Sequence, residues 1–445
     1  MSHVFHRSLQ QTYPVAVSGE GVYVIDNQGK RYIDACGGAA VSCLGYDYAP
    51  LKTAINAQID KLPFVHSSFF TTDILEQAAE ALVNDTNGVM SHVYFVSGGS
   101  EAIEAAIKMA RQYFVDTGKP SKRYFIARKQ SYHGNTLGAL SLGGNEARKA
   151  PYKDILIGAN HISACYEYRE KQPDESAEAY GLRAANELEA EILRLGAENV
   201  AAFVAETVVG ATAGCLPPAP TYFKRIREIC DQYDVLLILD EVMCGMGRTG
   251  TLHAYTQDGI TPDIQAVAKG IAAGYQPLGA VFMKAFIVDA IRQGAGFFQH
   301  GHTYICHATA VAAGLATQRI IKSENLLDNV VKQGDYLSQR LHEQLADKPY
   351  VGEIRGRGLF KGIELVADKA SKTPHDASLP IASRIRAVAM DNGLMCYPIA
   401  GTIDGVNGNH VLLAPAYIIQ AHEIDEIVDK LEKTITTVMD GIATK

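Results

Sequence analysis

The sequence predicts an α/β fold built on a mostly parallel sheet, and three observations carry that expectation. Apolar, β-branched runs alternate with amphipathic helical stretches through the middle of the chain. The runs are apolar throughout, as strands covered on both faces must be. An acidic residue, Asp240, closes one of them at the carboxyl end, where open α/β sheets bind ligands. With 445 residues, 47% of them hydrophobic, there is material for two domains with real cores.

Taken in order, GVYVIDNQGKRYID at 21–34 reads as a β-hairpin turning at Asn27 to Gly29. HVYFV at 92–96 is a strand, and EAIEAAIKMARQYF at 101–114 places apolar residues at helical spacing. RYFIA at 123–127 is the next strand. EYREKQPDESAEAYG at 167–181 is a surface loop leading into a helix, too short for a domain linker. VAAFVAE at 200–206, the helix PTYFKRIREICDQY at 220–233, VLLILD at 235–240 and DIQAVA at 263–268 continue the alternation. After residue 320 the character changes to long helix, then VGEIRGRGLFKGIEL, then more helix and strand, which reads as a separate α+β domain. The expected division is 61–324 for a large domain, with 1–60 and 325–445 forming a small one. No internal repeat or low-complexity tract appears.

Composition excludes several classes. A net charge of −8 gives no electrostatic preference for nucleic acid. Eight cysteines without a C-x-x-C pair suggest neither a zinc site nor a disulfide framework. MSHVFHRSLQQTYPVAV lacks the apolar core of a signal peptide, and no run is long enough to span a bilayer. A cytoplasmic protein without membrane or nucleic-acid partners is the expectation.

Lys269 lies in AVAKGIAAGYQPLGA, and Asp240 in VLLILDEVMCGMGRTG precedes it by enough chain for a loop and one more strand. A reactive lysine preceded by a strand-end aspartate is the chemistry of pyridoxal phosphate. The amine forms a Schiff base with the cofactor aldehyde, and the carboxylate keeps the pyridine nitrogen protonated. A surface aspartate at a strand exit is the plain alternative. GMGRTG, Gly245 to Gly250, fits G-x-G-x-x-G, but that fingerprint needs a helix to open at the glycines. TLHAYTQDGITPD follows, with no helical period and a proline, so these glycines shape a loop. SGGSEAIEAAIKMARQ at 97–112 is the better phosphate cradle, coming directly after a strand and opening a helix. Gly98 and Gly99 let backbone approach an anion, Ser100 offers a hydroxyl, and the first-turn N–H groups are free. A plain N-cap at Ser100 competes evenly until Lys269 and Asp240 are considered.

Together these segments resemble the class III aminotransferases, the ω-aminotransferase group of fold type I pyridoxal phosphate enzymes. The likeness runs from DACGGAAVSCLGY to HVLLAPAY. It implies a large domain with a mostly parallel seven-stranded sheet, and a smaller α+β domain against which the N-terminal segment packs. It implies pyridoxal 5'-phosphate as cofactor, with Asp240 on the ring nitrogen, Val242 on one ring face, and Gly99 and Ser100 at the phosphate. Tyr132, in QSYHGNTLGALSL, matches the family's Tyr-His-Gly element, whose aromatic ring lies against the cofactor; His133 suggests no metal role. Glu206 matches the glutamate of a Glu-Pro pair, with Thr207 in place of proline, and supports the cofactor from beneath. Thr303, in QHGHTYICHATA, matches a threonine that reaches the phosphate of the neighbouring subunit. That makes the functional unit a homodimer or larger, with shared active sites.

Two departures bear on substrate. Ala211 stands where relatives carry a second glutamate, and no arginine follows Arg386, whereas many relatives clamp the acceptor's carboxylate with one there. Tyr397 lies near that point and is the candidate for hydrogen-bonding the carboxylate. The glycine-rich stretch that follows reads as a possible lid. The expected activity is ping-pong transfer of an amino group from an amine, ω-amino acid or amino acid to a keto acid, with pyruvate favoured and Lys269 as catalytic proton shuttle. A decarboxylase or aminomutase would use the same Lys269 and Asp240. A non-catalytic binding protein would not need them, and a DNA-binding regulator would need an added segment.

Overall fold

A computed structural model describes residues 3–443. The chain opens with a three-strand meander, β1 (Ala16–Glu20), β2 (Tyr23–Asp26) and β3 (Arg31–Asp34). Asp26 makes the turn after β2, its carboxylate accepting from the backbone N–H groups of Gln28 and Lys30, both at 2.9 Å. Gly29, at φ +80°, supplies the left-handed step.

Seven strands follow: β4 (His92–Val96), β5 (Tyr124–Arg128), β6 (Asn160–Ile162), β7 (Val200–Glu206), β8 (Leu236–Asp240), β9 (Ile264–Val267) and β10 (Gly279–Met283). They form one sheet in the order β4-β10-β9-β8-β7-β5-β6. Only β10 runs against its neighbours, so the other six share one direction and one carboxyl edge. The five strands expected from the sequence are present within a residue or so of their expected ends.

Both faces of this sheet are covered. Phe203, Leu237 and Leu239 point into one core with the helices Ala177–Leu195 and Tyr222–Gln232. Val204, Leu236 and Ile238 point into the other with the helix Gly99–Asp116. Each such fully buried Leu, Ile or Phe contributes roughly 1.5–3 kcal/mol, and this two-sided burial explains why the strands show no polar alternation.

The remaining strands are β11 (Val351–Arg357), β12 (Phe360–Leu365), β13 (Leu394–Met395), β14 (Tyr397–Ala400) and β15 (Asn409–Leu413). β11, β12, β15 and β14 form a second sheet, while β13 pairs in parallel with β3 and so ties the N-terminal meander to the C-terminal region. The glycines at 245–250 sit in turns and no helix opens at them; only the short 3-10 helix Ala254–Asp258 follows, which removes the dinucleotide reading. Within that loop Arg248 is buried and donates to the carbonyls of Leu359 and Pro415, pinning the loop to the second sheet's end.

Candidate active site

The carboxyl ends of β4, β7, β8 and β9, and the turn after β5, converge on a cavity of ≈ 190 Å³. Gly99, Ser100, Tyr132, Glu206, Asp240, Val242 and Lys269 all line it. Thr303 and Tyr397 do not; each lies in a separate cleft.

Asp240 ends β8 and is almost wholly buried. Its Oδ2 meets Nδ1 of His133 at 2.8 Å, and its Oδ1 accepts from the backbone N–H of Val242 at 3.0 Å. A carboxylate only accepts, so the imidazole proton is assigned to Nδ1. Sequence reading missed this role because His133 was weighed only as a metal ligand. The available signal was its position beside Tyr132, in a turn after a strand.

Glu206 stands opposite Asp240 in the β7–β8 register. Burial, with the charge of Asp240, pushes its carboxyl above the ordinary range, while His133 and Arg128 pull it back. Glu206 accepts from the backbone N–H groups of Gly210 (3.1 Å) and Tyr132 (3.3 Å), so it braces the loop that carries the tyrosine. The replacement of proline by Thr207 has a structural use. The Thr207 hydroxyl donates at 2.8 Å to Glu241, which is fully buried and also accepts from Ala254 N–H, Tyr255 N–H and Gln265. This knot ties the ends of β7, β8 and β9 together.

Lys269 follows β9 with φ +50°, a left-handed conformation that a side chain bearing a Cβ adopts at a cost of order 1 kcal/mol or more. Burial pushes its amine below the usual lysine range, against the opposing pull of Asp240 and Glu206. Across the cavity, the helix Gly99–Asp116 begins with Gly98 as N-cap, so Ser100 is not the cap. The first-turn N–H groups therefore face outward, and Ser100 Oγ accepts from Asn135 N–H at 3.0 Å. A Cβ on Gly99 would come within 2.8 Å of Val242, so only glycine allows that side chain so near the helix end.

The arrangement tests well against a planar, anionic cofactor. It offers a buried amine of lowered basicity, a buried and doubly held carboxylate, an aromatic and an aliphatic side chain, and a helix N-terminus, all on one cavity. Among the described residues no group of three or more His, Cys, Asp or Glu could hold a metal ion, and no helix is long and apolar enough to cross a membrane.

The second-substrate features are also placed. Ala211 packs with Val208, Met243 and Phe360 in an apolar cluster that adjoins the cavity. The glycine-rich loop after β14 is held down: Gln130 donates to the carbonyls of Gly401 (2.7 Å) and Thr402 (2.9 Å), and Asp404 caps Val406 and Asn407. The loop is fastened here, not a free lid. Thr303 lies in a segment with exposed Phe297 and Tyr304, near exposed Phe69 and Phe70.

Residues 4–435 match the family described as aminotransferase class III. An aminotransferase of Schizosaccharomyces pombe is 45% identical over 99% of this chain and 96% of its own length. The putrescine–pyruvate aminotransferase of Pseudomonas aeruginosa is 35% identical over 95% of this chain and 90% of its own. Among solved structures, the ω-transaminase of Pseudomonas jessenii in complex with PMP superposes with a TM-score of 0.93 at 33% identity, covering 100% of this chain and 97% of that one. With the strand-end lysine, the braced aspartate and the helix N-terminus on one cavity, the chain belongs to the class III aminotransferases and uses pyridoxal 5'-phosphate.

Proposed function

We propose that the chain moves an amino group from an amine, ω-amino acid or amino acid donor to a keto acid, preferably pyruvate, in two alternating half-reactions. The observation that carries this reading is Lys269, an amine kept less basic by burial and held in a left-handed backbone beside Asp240. When bound, pyridoxal 5'-phosphate supplies an aldehyde for amine exchange and a ring that stores the electron pair left by proton removal.

The chain's residues do the rest. Lys269 attaches the cofactor and, once displaced by the donor, takes the proton from the donor's reacting carbon and returns it elsewhere. A lowered basicity favours this, since an amine that stays protonated cannot accept. Asp240 would hold the ring proton, and His133 with the Val242 N–H keeps its carboxylate aimed. Tyr132 and Val242 would hold the ring, Glu206 braces the Tyr132 loop, and Gly99 and Ser100 would receive the phosphate.

Pyruvate fits a site whose one wall is apolar. Val208 and Met243 line the cavity with Ala211 packed behind them, which suits a methyl group and penalises a second carboxylate. Thr303 is assigned to the partner's phosphate in a homodimer, a role supported by its absence from the lining of its own cavity and by the exposed aromatics Phe297 and Tyr304 in its segment. The same reading takes 61–324 as the cofactor domain and 1–60 with 325–445 as the other, as the β3–β13 pairing supports. It places the protein in the cytoplasm, to which eight free cysteines are suited.

Borohydride reduction and peptide mapping test the reading. The pyridoxyl group is expected on Lys269, and a label on any other lysine removes its foundation.

A further inference from the structure

Tyr132 is the only tyrosine or phenylalanine lining the cofactor cavity among the described residues. Its backbone is pinned, the N–H donating to Glu206 at 3.3 Å. Its ring has a second hold. The guanidinium of half-buried Arg148 sits over the ring, 4.7 Å from its centroid, and Arg148 is not itself part of the cavity lining. The charge it brings is uncompensated. No carboxylate pairs with Arg148 among the described residues; Glu146, two positions away, pairs with Lys149 at 2.9 Å. Burial raises the Tyr132 hydroxyl above its ordinary value, and Arg148 is the foremost charge acting against that rise.

The place of Arg148 is built from several segments. The short helix Glu146–Lys149 carries it, and Asn145 caps that helix, accepting from the Arg148 N–H at 3.2 Å. The Asn145 amide donates at 3.2 Å to Gln130, which is buried and stands two residues before Tyr132. Gln130 therefore ties the turn that carries the arginine to the turn that carries the ring. It is fixed in its own right, donating to the carbonyls of Gly401 and Thr402 and accepting from the Thr212 hydroxyl at 2.6 Å. A Cβ on Gly405 would come within 3.4 Å of Ala147 and of Asn145 Oδ1, so the loop after β14 closes on the same turn.

We propose that Arg148 is a positioning residue for the cofactor, its guanidinium clamping the Tyr132 ring in the orientation that receives pyridoxal 5'-phosphate. A cation over the face of a tyrosine attracts the ring and resists its rotation. A ring ordered in advance spares the cofactor that ordering cost when it binds. The clamp depends on charge as well as bulk, acts only through Tyr132, and is indifferent to the amino donor. The proposal rests on the reading that Tyr132 holds the cofactor ring, and its test separates the two.

Wild type, Arg148→Met, Arg148→Lys, Tyr132→Leu and the double variant Arg148→Met/Tyr132→Leu are compared. The readings are the dissociation constant for pyridoxal 5'-phosphate and the visible circular dichroism of the bound cofactor, with Tm as a control on folding. Methionine keeps much of the bulk of arginine and removes its charge. Arg148→Met should weaken cofactor binding by about three- to tenfold and reduce the dichroic band, and Arg148→Lys should recover part of both. With Tyr132→Leu already present, Arg148→Met should change the dissociation constant by less than about twofold, because its target is gone. In the holoenzyme, kcat/KM for 4-aminobutyrate and for n-butylamine should fall by the same factor in Arg148→Met. Cofactor affinity and dichroism unchanged in Arg148→Met overturn the proposal, as does an equal loss with and without Tyr132. A fall confined to 4-aminobutyrate also overturns it, since Arg148 would then touch the substrate. If Tyr132→Leu alone leaves both cofactor readings unchanged, the reading of Tyr132 fails and the clamp fails with it. The cofactor readings decide without turnover.

Discussion

His133→Phe isolates the hydrogen bond that aims Asp240. The His133 side chain is wholly buried, so a ring of similar shape keeps the space filled while removing the donor. Asp240 then retains only the Val242 N–H, at 3.0 Å, and loses the 2.8 Å contact with His133. Removing one partner of a buried, charge-assisted hydrogen bond costs about 1.5–3 kcal/mol. The proton-removal step relies on that carboxylate, so its rate should fall roughly ten- to 150-fold. Glu206 is affected as well, since His133 is the largest influence holding its raised carboxyl down. In the variant Glu206 should take up a proton more readily, which returns some stability without restoring the aim of Asp240. The assay is stopped-flow single turnover, following cofactor absorbance after mixing with donor, with cofactor affinity measured separately. His133→Gln, which restores a donor, should recover part of the rate. A His133→Phe rate within about threefold of wild type, with cofactor bound and the fold intact, would falsify the argument that the histidine positions the carboxylate.

Asp240→Asn should slow the same step further than His133→Phe while weakening cofactor binding less, and near wild-type turnover would mean that another group holds the ring proton. Pyruvate should be preferred over 2-oxoglutarate by about a hundredfold, because the latter places a charge on the apolar wall; matching rates would show that wall to be bypassed. Tyr397→Phe should raise KM for the keto acid more than for the amine, and no change in either removes Tyr397 from the substrate path. Mixing inactive Lys269→Ala subunits with Thr303→Ala subunits at limiting cofactor should restore activity, since one site of each heterodimer is then intact; no restoration means that Thr303 acts within its own subunit. His253 is buried, and burial lowers its imidazole pKa to about 4, while its Nδ1 contacts Gln265 at 3.0 Å. Because the native value lies below the unfolded value near 6.5, its contribution is whole above that pH. About 3 kcal/mol should be lost as pH falls toward 4. His253→Phe should flatten that limb of a pH–Tm curve, and an unchanged limb would assign the acid sensitivity elsewhere.

The cofactor cavity was legible in the sequence because its residues sit at strand ends, and a strand end is a local event. Asp240 closes LLILD and Glu206 closes VAAFVAE, while Lys269 follows IQAV at one residue's remove. Once the strands run parallel, their carboxyl ends must meet at one edge. Three strands were not legible for equally local reasons. β1 is exposed AVSGE with no apolar pattern, and β6 is only three residues long. β10 is GAVFM, whose antiparallel insertion between β4 and β9 is a tertiary pairing with no mark in the segment itself. Thr207 looked like an erosion of the Glu-Pro pair, yet its hydroxyl serves Glu241, a partner visible only when β7 and β8 lie side by side.

The cleft that holds Tyr397 is the opposite case. Its cations, Arg7, Arg148 and Arg386, come from the N-terminal segment, the short helix Glu146–Lys149 and the helix Ile381–Asp391, and no window of sequence contains two of them. A search for the missing arginine along the C-terminal stretch finds Tyr397 and nothing charged to replace it. The fold sets Arg148 over Tyr132 from a different direction, through Asn145, Gln130 and the loop at Gly401 to Gly408. The chemistry of the cavity is written into strand ends, at Glu206, Asp240 and Lys269. The cleft's lining is assembled from side chains that only tertiary structure brings together, and it includes neither Lys269 nor Asp240. That separation shows in the two linings, which share no residue: Tyr132 lines the lysine's cavity, and Arg148, 4.7 Å from its ring centroid, lines the cleft.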